Sequence, residues 1–414
     1  MQAIRLWRHF CDDSLFRNSV YLMLATGVMA GFGFFFWLIN ARLFSAENIG
    51  LATTLISVMN LIAMLGLIGF DTAFVRYLPT STQRNQKMNT GLILVSIASI
   101  VLSIGFLACV DIISPKLSFI KESPIYGLVF VVSCVMNSLN SLTDSIFLAG
   151  RKTKFSLIIN TIFSVFKTVI PFAFVGFGPM GIFISAALAQ TLGTLLSVAV
   201  MFWKFDYRPI LSINKGVLKT VWPYSTANYA AGIFNLLPPA ILPILITNHL
   251  NPTAAGYYYI VMMIGNLLYA IPWSTTKSLL AEGSYEERSL SESIRKSILV
   301  TILLLIPAIT LLLIGGDQIL QIFGKNFSRG GADFLYLVTL TAIPVTINSI
   351  YGSIFRIKKD LLAIVITNIF YTITILGFSY YLLSFGLIGI GAAWLIGNIL
   401  TAFLNLTVFK FRGH

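Results

Sequence analysis

Twelve apolar runs, each about as long as a bilayer is thick and separated by short polar connections, constrain this chain more than any other feature. They fall at about 18–40, 49–78, 90–112, 125–149, 155–176 and 179–203, then at about 219–247, 254–281, 294–316, 333–356, 361–384 and 386–410. Runs of this length read as transmembrane helices. With 57% hydrophobic and 10% charged residues over 414 positions, and a mean hydropathy of +0.86, the chain holds more apolar sequence than a soluble core can use. The expected fold class is therefore an all-α polytopic membrane protein of twelve transmembrane helices.

A repeat organises these runs. The stretch from Asp144 to Ile182 returns 208 positions later (353 − 145 = 208), placing Ser145-Ile146-Phe147 on Ser353-Ile354-Phe355 and Asn160 on Asn368. The same offset sets Arg151 on Lys359, Phe177-Gly178 on Phe385-Gly386, and Gly181-Ile182 on Gly389-Ile390. A second match, offset by 206, sets Ser45–Gly50 on Asn251–Gly256, each opening with a helix-capping residue five before a glycine. Constant offsets at matching turns point to duplication. They divide the chain into two six-helix lobes, residues 1–210 and 211–414, joined by a short linker from Lys204 to Lys219. Duplicated halves of hydrophobic helices are a recognised transporter plan, with the site at their interface.

Charge sets the expected topology. With the N-terminus inside, Arg42, Lys116, Lys121, Lys325 and Arg329 fall outside and Lys167 within a span, leaving 22 of the 28 Lys and Arg on the cytoplasmic side. Both termini are expected in the cytoplasm, in a cell-membrane protein. The formal charge of +13 is thus a matter of orientation and anionic lipid, not of nucleic acid. The polar lead through Arg17 has no small-residue cleavage site and reads as a cytoplasmic tail. Cys11, Cys109 and Cys134 lack metal-ligand spacing, and no catalytic or phosphate-loop motif is present. No enzyme activity, metal or cofactor is expected. No hydrophilic stretch is long enough for a nucleotide-binding domain, so a gradient of substrate or ion must drive any transport.

Polar residues at membrane depth are costly and so invite function. Lys167, near the middle of the fifth span, takes Asp144 of the fourth as its first candidate partner. Asp71 and Arg76 on the second span, Lys277 on the eighth and Arg356 on the tenth lie closer to the cytoplasmic surface, where any could snorkel. Asp71 and Lys277 are related by the 206 offset and carry opposite charge, so they are expected to approach when the cytoplasmic side closes. The seventh span carries Pro238, Pro239 and Pro243, which predict a bend or break that could gate a cavity. Tyr224, Asn228 and Asn235 share a face of that span and suggest a cavity wall. Gly27, Gly31 and Gly33 offer the first span a face for close helix approach.

The segments Asn40-Ala41-Arg42-Leu43-Phe44, Ser45–Gly50, Ile68-Gly69-Phe70-Asp71-Thr72-Ala73-Phe74-Val75-Arg76-Tyr77-Leu78 and Gly150-Arg151-Lys152, on a six-plus-six layout, resemble a known family. It is the polysaccharide-transporter, or O-antigen (Wzx-type) flippase, branch of the multidrug/oligosaccharidyl-lipid/polysaccharide exporter (MOP) superfamily. The resemblance implies a V-shaped, MATE-like pair of lobes around a cavity. It implies as cargo a polyprenyl-diphosphate-linked oligosaccharide, moved by alternating access across the cytoplasmic membrane. Arg42, Arg76 and Lys277 are then candidate diphosphate contacts, and Asn228 and Asn235 candidate sugar contacts. Membrane lipids and a coupling H+ or Na+ are the other expected partners, and the chain is expected to be a monomer. Drug antiporters of the superfamily often place an acidic residue in the first span, and this chain has none there. A cation-coupled multidrug antiporter is the alternative within transport; a non-transporting membrane biogenesis protein is the alternative outside it.

Overall fold

A computed structural model describes residues 14–210, 212–285 and 290–412, with side-chain surroundings for all of these except 14–20, 22, 215, 217–232, 281–285 and 290. Among the described residues there is no strand. The first half comprises α1 (Ser14–Leu43), α2 (Ala46–Leu67), α3 (Phe70–Tyr77), α4 (Arg84–Ile113), α5 (Pro124–Ala149), α6 (Lys154–Val169) and α7 (Gly178–Lys204). The second comprises α8 (Lys215–His249), α9 (Pro252–Tyr285), α10 (Leu290–Phe323), α11 (Lys325–Ile357), α12 (Leu361–Tyr381) and α13 (Gly386–Phe411). Among the described residues, eleven helices are long and apolar enough to cross a membrane, α3 following directly on α2. The long helix α8, with its apolar described stretch Ile233–His249, makes the twelfth.

The repeat is written in the backbone. Arg151 (φ 53°) and Lys359 (φ 56°) both turn to positive φ after a helix, and Gly178 (φ 54°, ψ −134°) and Gly386 (φ 64°, ψ −144°) open α7 and α13 with matching angles. The amide of Lys152 donates to Phe147 O and that of Asp360 to Phe355 O, each at 2.9 Å, so the two turns close on equivalent hydrogen bonds. Chemistry differs where geometry does not. Lys152 Nζ donates to the Lys204 carbonyl, whereas Asp360 binds the Arg412 guanidinium at 2.5 Å, and both pairs are related by the 208 offset.

Three expected features of the spans come out differently. The second span, expected as one helix over 49–78, is interrupted where Ile68 (φ 49°) and Gly69 (φ 77°) turn left-handed between α2 and α3. A β-branched residue held there costs roughly 1–3 kcal/mol. Packing of Ile68 against the core of Leu67, Phe70, Phe74 and Phe147 offsets it. The seventh span, expected to bend or break at its prolines, does not break: α8 is one continuous helix through Pro238, Pro239 and Pro243. A proline frees the carbonyl four residues earlier. For Pro238 that carbonyl belongs to Phe234, and the Thr372 hydroxyl of α12 donates to it. Around Pro243, Thr54 Oγ1 lies 3.4 Å from the Pro243 carbonyl and 2.6 Å from Thr247 Oγ1. The Thr372 hydroxyl thus satisfies the carbonyl that Pro238 frees, so the helix does not have to open there to find a partner for it. Among the described residues, a Cβ on Gly27, Gly31 or Gly33 of α1 would meet nothing within 4 Å, so these glycines make no close helix approach there.

The chain forms two compact units, one of residues through Phe44 together with Leu55–Tyr229, the other of Ser45–Thr54 together with Ala230 onwards. The linker after α7 is pinned to the first unit. Asn85 exchanges both hydrogen bonds with the backbone of Arg208 at 2.9 Å, and Asn89 receives Tyr207 OH at 2.8 Å and Ile210 N at 3.1 Å. Farther along, Asn214 N donates to Thr90 Oγ1 at 3.1 Å. The first turns of α4 thereby hold the linker as far as Asn214.

Candidate functional site

In the first unit the charged candidates sit at helix ends. Arg42 lies exposed in the last turn of α1 and Arg76 exposed in the last turn of α3, both where the helix dipole favours a cation. The Arg76 guanidinium also rests 5.5 Å from the Tyr77 ring. Asp71 occupies the first turn of α3, just after the left-handed break, where the dipole favours an anion. Its Oδ1 is buried and has no hydrogen-bond partner among the described residues.

Lys167 and Asp144 do not pair, which corrects the expected partnership. Lys167 is in the last turn of α6, not at mid-span, with Nζ 4.4 Å from the Phe36 ring centroid of α1 and 5.7 Å from that of Phe163. The reason is depth. Helix α6 starts at Lys154 and rises about 1.5 Å per residue, so Lys167 stands about 20 Å along it, while Asp144 is only five residues before the C-terminal Ala149 of the antiparallel α5. Asp144 instead meets the start of α6, where Ser156 Oγ donates to its Oδ1 at 2.8 Å. Lys167 is held by two aromatic faces and the α6 C-terminus, a combination that stabilises an ammonium without a carboxylate.

Around Asp144 the helices α1, α5 and α6 leave a pocket of about 290 Å³, walled by Thr26, Met29, Ser145, Ser156 and Asn160. Ser156 and Asn160, four apart on α6, share the face that closes it. Sequence reading singled out Asp144 but missed these neutral oxygens. Their signal was the i, i+4 polar pair in an otherwise apolar run.

In the second unit, Asn235 of α8 and Lys277 of α9 are exposed, Pro238 and Pro243 are buried and Pro239 is exposed. The backbone of α8 carries Tyr224 and Asn228, whose side chains lie outside the described residues. Asp71 and Lys277 belong to different units. A second pocket, of about 480 Å³, is formed where the starts of α9 and α11 meet the turn before α13, with Asn251, Tyr257, Arg329, Asp333 and Phe385 on its walls.

Comparison with known proteins places this architecture. The family described as "Polysaccharide biosynthesis protein" matches residues 39–329. No curated protein matches by sequence. Among solved structures, the chain is similar to a lipid II flippase, MurJ, in an inward closed conformation (TM-score 0.77, 15% identity, 94% of this chain and 87% of that one). It is also similar to a multidrug resistance MATE family transporter of the MOP superfamily in an inward-facing conformation (TM-score 0.71, 15% identity, 95% and 98%). The same kind of MATE transporter in an outward-facing conformation aligns with a TM-score of 0.66 at 15% identity, over 96% and 95%. With a family match over more than half its length and the helical plan of these transporters, the chain belongs to the polysaccharide biosynthesis protein family of multi-pass membrane proteins, on the fold of the MOP superfamily.

Proposed function

We propose that the protein is a flippase that carries a polyprenyl-diphosphate-linked oligosaccharide across the cytoplasmic membrane by alternating access. The observation that carries this reading is membership of a polysaccharide biosynthesis family combined with a fold shared with a lipid II flippase. Polysaccharide assembly in a membrane needs its lipid-linked unit moved, and a duplicated helical bundle is a plan for moving it. Exposed Arg42, Arg76 and Lys277 supply the cations a diphosphate needs, and Asn228 and Asn235 the amides that sugar hydroxyls need.

In this reading residues 1–210 and 211–414 are the lobes that rock, both termini are cytoplasmic, and Asp71 meets Lys277 when the cytoplasmic side closes. An H+ or Na+ gradient supplies the drive. The test is binding. The purified protein should be stabilised against heat by a polyprenyl-diphosphate-linked oligosaccharide and not by the polyprenol alone, and Arg76→Gln and Lys277→Gln should weaken that effect several-fold. Equal stabilisation by the polyprenol would remove the diphosphate from the account.

A further inference from the structure

We infer that the pocket where the starts of α9 and α11 meet the turn before α13 holds the headgroup of a zwitterionic aminophospholipid, with Arg329 taking its phosphate and Asp333 its ammonium. The occupant is a membrane lipid of the phosphatidylethanolamine class, and the site lies wholly within the second unit.

The first observation is an open pair of charges. Arg329 and Asp333 stand one turn apart on α11, both exposed and both on the wall of the pocket of about 480 Å³. Opposite charges at that spacing are neighbours on a helix. Yet neither makes an ion pair or a hydrogen bond among the described residues. Asp317, the carboxylate near the end of α10, is engaged by Ser328 and Gln321. A plain anion at Arg329 would be repelled by Asp333, and a plain cation at Asp333 by Arg329. A ligand carrying both charges a few bonds apart meets neither penalty. The planar guanidinium fork matches a phosphate, and a carboxylate accepts hydrogen bonds from a primary ammonium.

The repeat shows that this opening is particular to the second half. The 208 offset sets Lys121 on Arg329, Asp111 on Ile319 and Ile125 on Asp333. In the first half Asp111 closes on Lys121 at 2.6 Å. In the second half the cation keeps its place, isoleucine replaces its internal partner, and a carboxylate stands one turn further on, at the pocket.

The third observation is the surface below the charges. With 33 residues, α11 is about 50 Å long, against roughly 30 Å for a bilayer core, so its first turns reach headgroup depth. Beyond Asp333 the same face continues through exposed Tyr336, Leu340 and Ile343. A charged pair above an exposed apolar strip is the layout of a headgroup over its acyl chain, and a free sugar has no use for the strip. Tyr257 is fixed on the wall because Gly330 leaves room for its ring, which a Cβ there would meet at 2.1 Å. With exposed Phe385 it gives the pocket the aromatic rim typical of a membrane surface. Helix α13 starts at this end and finishes at Phe411, so with the cytoplasmic termini proposed above the lipid belongs to the outer leaflet.

Native mass spectrometry of the delipidated full chain, given equal amounts of dioleoyl phosphatidylethanolamine, phosphatidylcholine and phosphatidylglycerol, tests the site. One phosphatidylethanolamine per chain should be retained, about fivefold or more over each of the others. N-methylation keeps the positive charge and removes N–H donors, so the monomethyl and dimethyl lipids should fall in order between phosphatidylethanolamine and phosphatidylcholine. Arg329→Gln and Asp333→Asn, near-isosteric changes at exposed positions, should each lose the preference, and Asp333→Asn should flatten the methylation series. Phosphatidylethanolamine with a photoreactive acyl chain should label the peptide that contains Leu340 and Ile343. Equal retention of phosphatidylethanolamine and phosphatidylcholine by the wild type, a preference for phosphatidylglycerol, an unchanged preference in either variant, or labelling confined to other helices would each overturn the inference. No glycan is present, so failure here leaves the flippase reading standing, and failure of glycan transport leaves this site standing.

Discussion

Gly50 and Gly256 cross backbone to backbone with reciprocal contacts. A Cβ on Gly50 would fall on the Pro252 carbonyl and 2.8 Å from Gly256 N, and one on Gly256 would fall on the Ala46 carbonyl and 3.2 Å from Gly50 N. Ala46 and Pro252 are related by the same 206 positions as the two glycines, so the first turns of α2 and α9 meet as a symmetric pair. Their caps match as well, Ser45 Oγ receiving Asn48 N at 3.2 Å and Asn251 Oδ1 receiving Ala254 N at 2.7 Å.

Because the groups in the way are carbonyls of capped helix ends, they cannot swing aside as a side chain would. Gly50→Ala and Gly256→Ala should each destabilise the protein by about 1–3 kcal/mol or more, the range for overpacking a tight contact. Thermal unfolding in detergent measures this, with Gly27→Ala, which meets open space, as the control expected to be unchanged. Equal midpoints for all three would mean that the crossing is looser than described.

The continuity of α8 makes a paired prediction. Thr372→Val should cost about 1–3 kcal/mol, because the Phe234 carbonyl freed by Pro238 then loses its donor. Pro238→Ala restores a backbone donor to that carbonyl, so Thr372→Val should cost much less in the Pro238→Ala background. A double-mutant cycle on unfolding midpoints reads the coupling directly. Additive effects would show that Thr372 does not substitute for the missing amide.

Much of this architecture was legible before any coordinates. The spans followed from length and hydropathy, and the offsets of 208 and 206 located turns whose backbone angles and caps agree. Less legible was where helices break. Gly69 is one glycine in a long apolar run, and glycine is common in such helices. The three prolines at 238, 239 and 243 pointed to a bend or break, yet the carbonyl that Pro238 frees finds its donor on Thr372, far away in sequence. Local rules count lost donors but cannot see replacements. The partner of Lys167 was misjudged for a related reason: closeness in sequence stood in for depth along antiparallel helices, and an aromatic face was not weighed as a partner. The polar wall around Asp144 requires three helices to be seen together.

The linker supplies a further prediction. Both backbone groups of Arg208 are tied to Asn85, and Asn89 gathers Arg208, Tyr207 and Ile210. A protease needs an extended, released backbone, so trypsin should cut slowly after Arg208 although its side chain is exposed. Asn85→Ala with Asn89→Ala should speed that cut by tenfold or more, followed by gel analysis of native protein. Unchanged cleavage would indicate that the linker is held elsewhere.

The central claim is movement of a lipid-linked glycan, and reconstitution tests it most directly. Purified protein in liposomes, supplied with a fluorescent polyprenyl-diphosphate oligosaccharide, should carry the headgroup from one leaflet to the other, as read by enzymatic or chemical access from outside. Transport should be saturable and should fall at least tenfold in Arg76→Gln with Lys277→Gln, while Gly27→Ala transports normally. Transport of cationic drugs without movement of the glycan, or glycan movement no faster than in protein-free liposomes, would contradict the account.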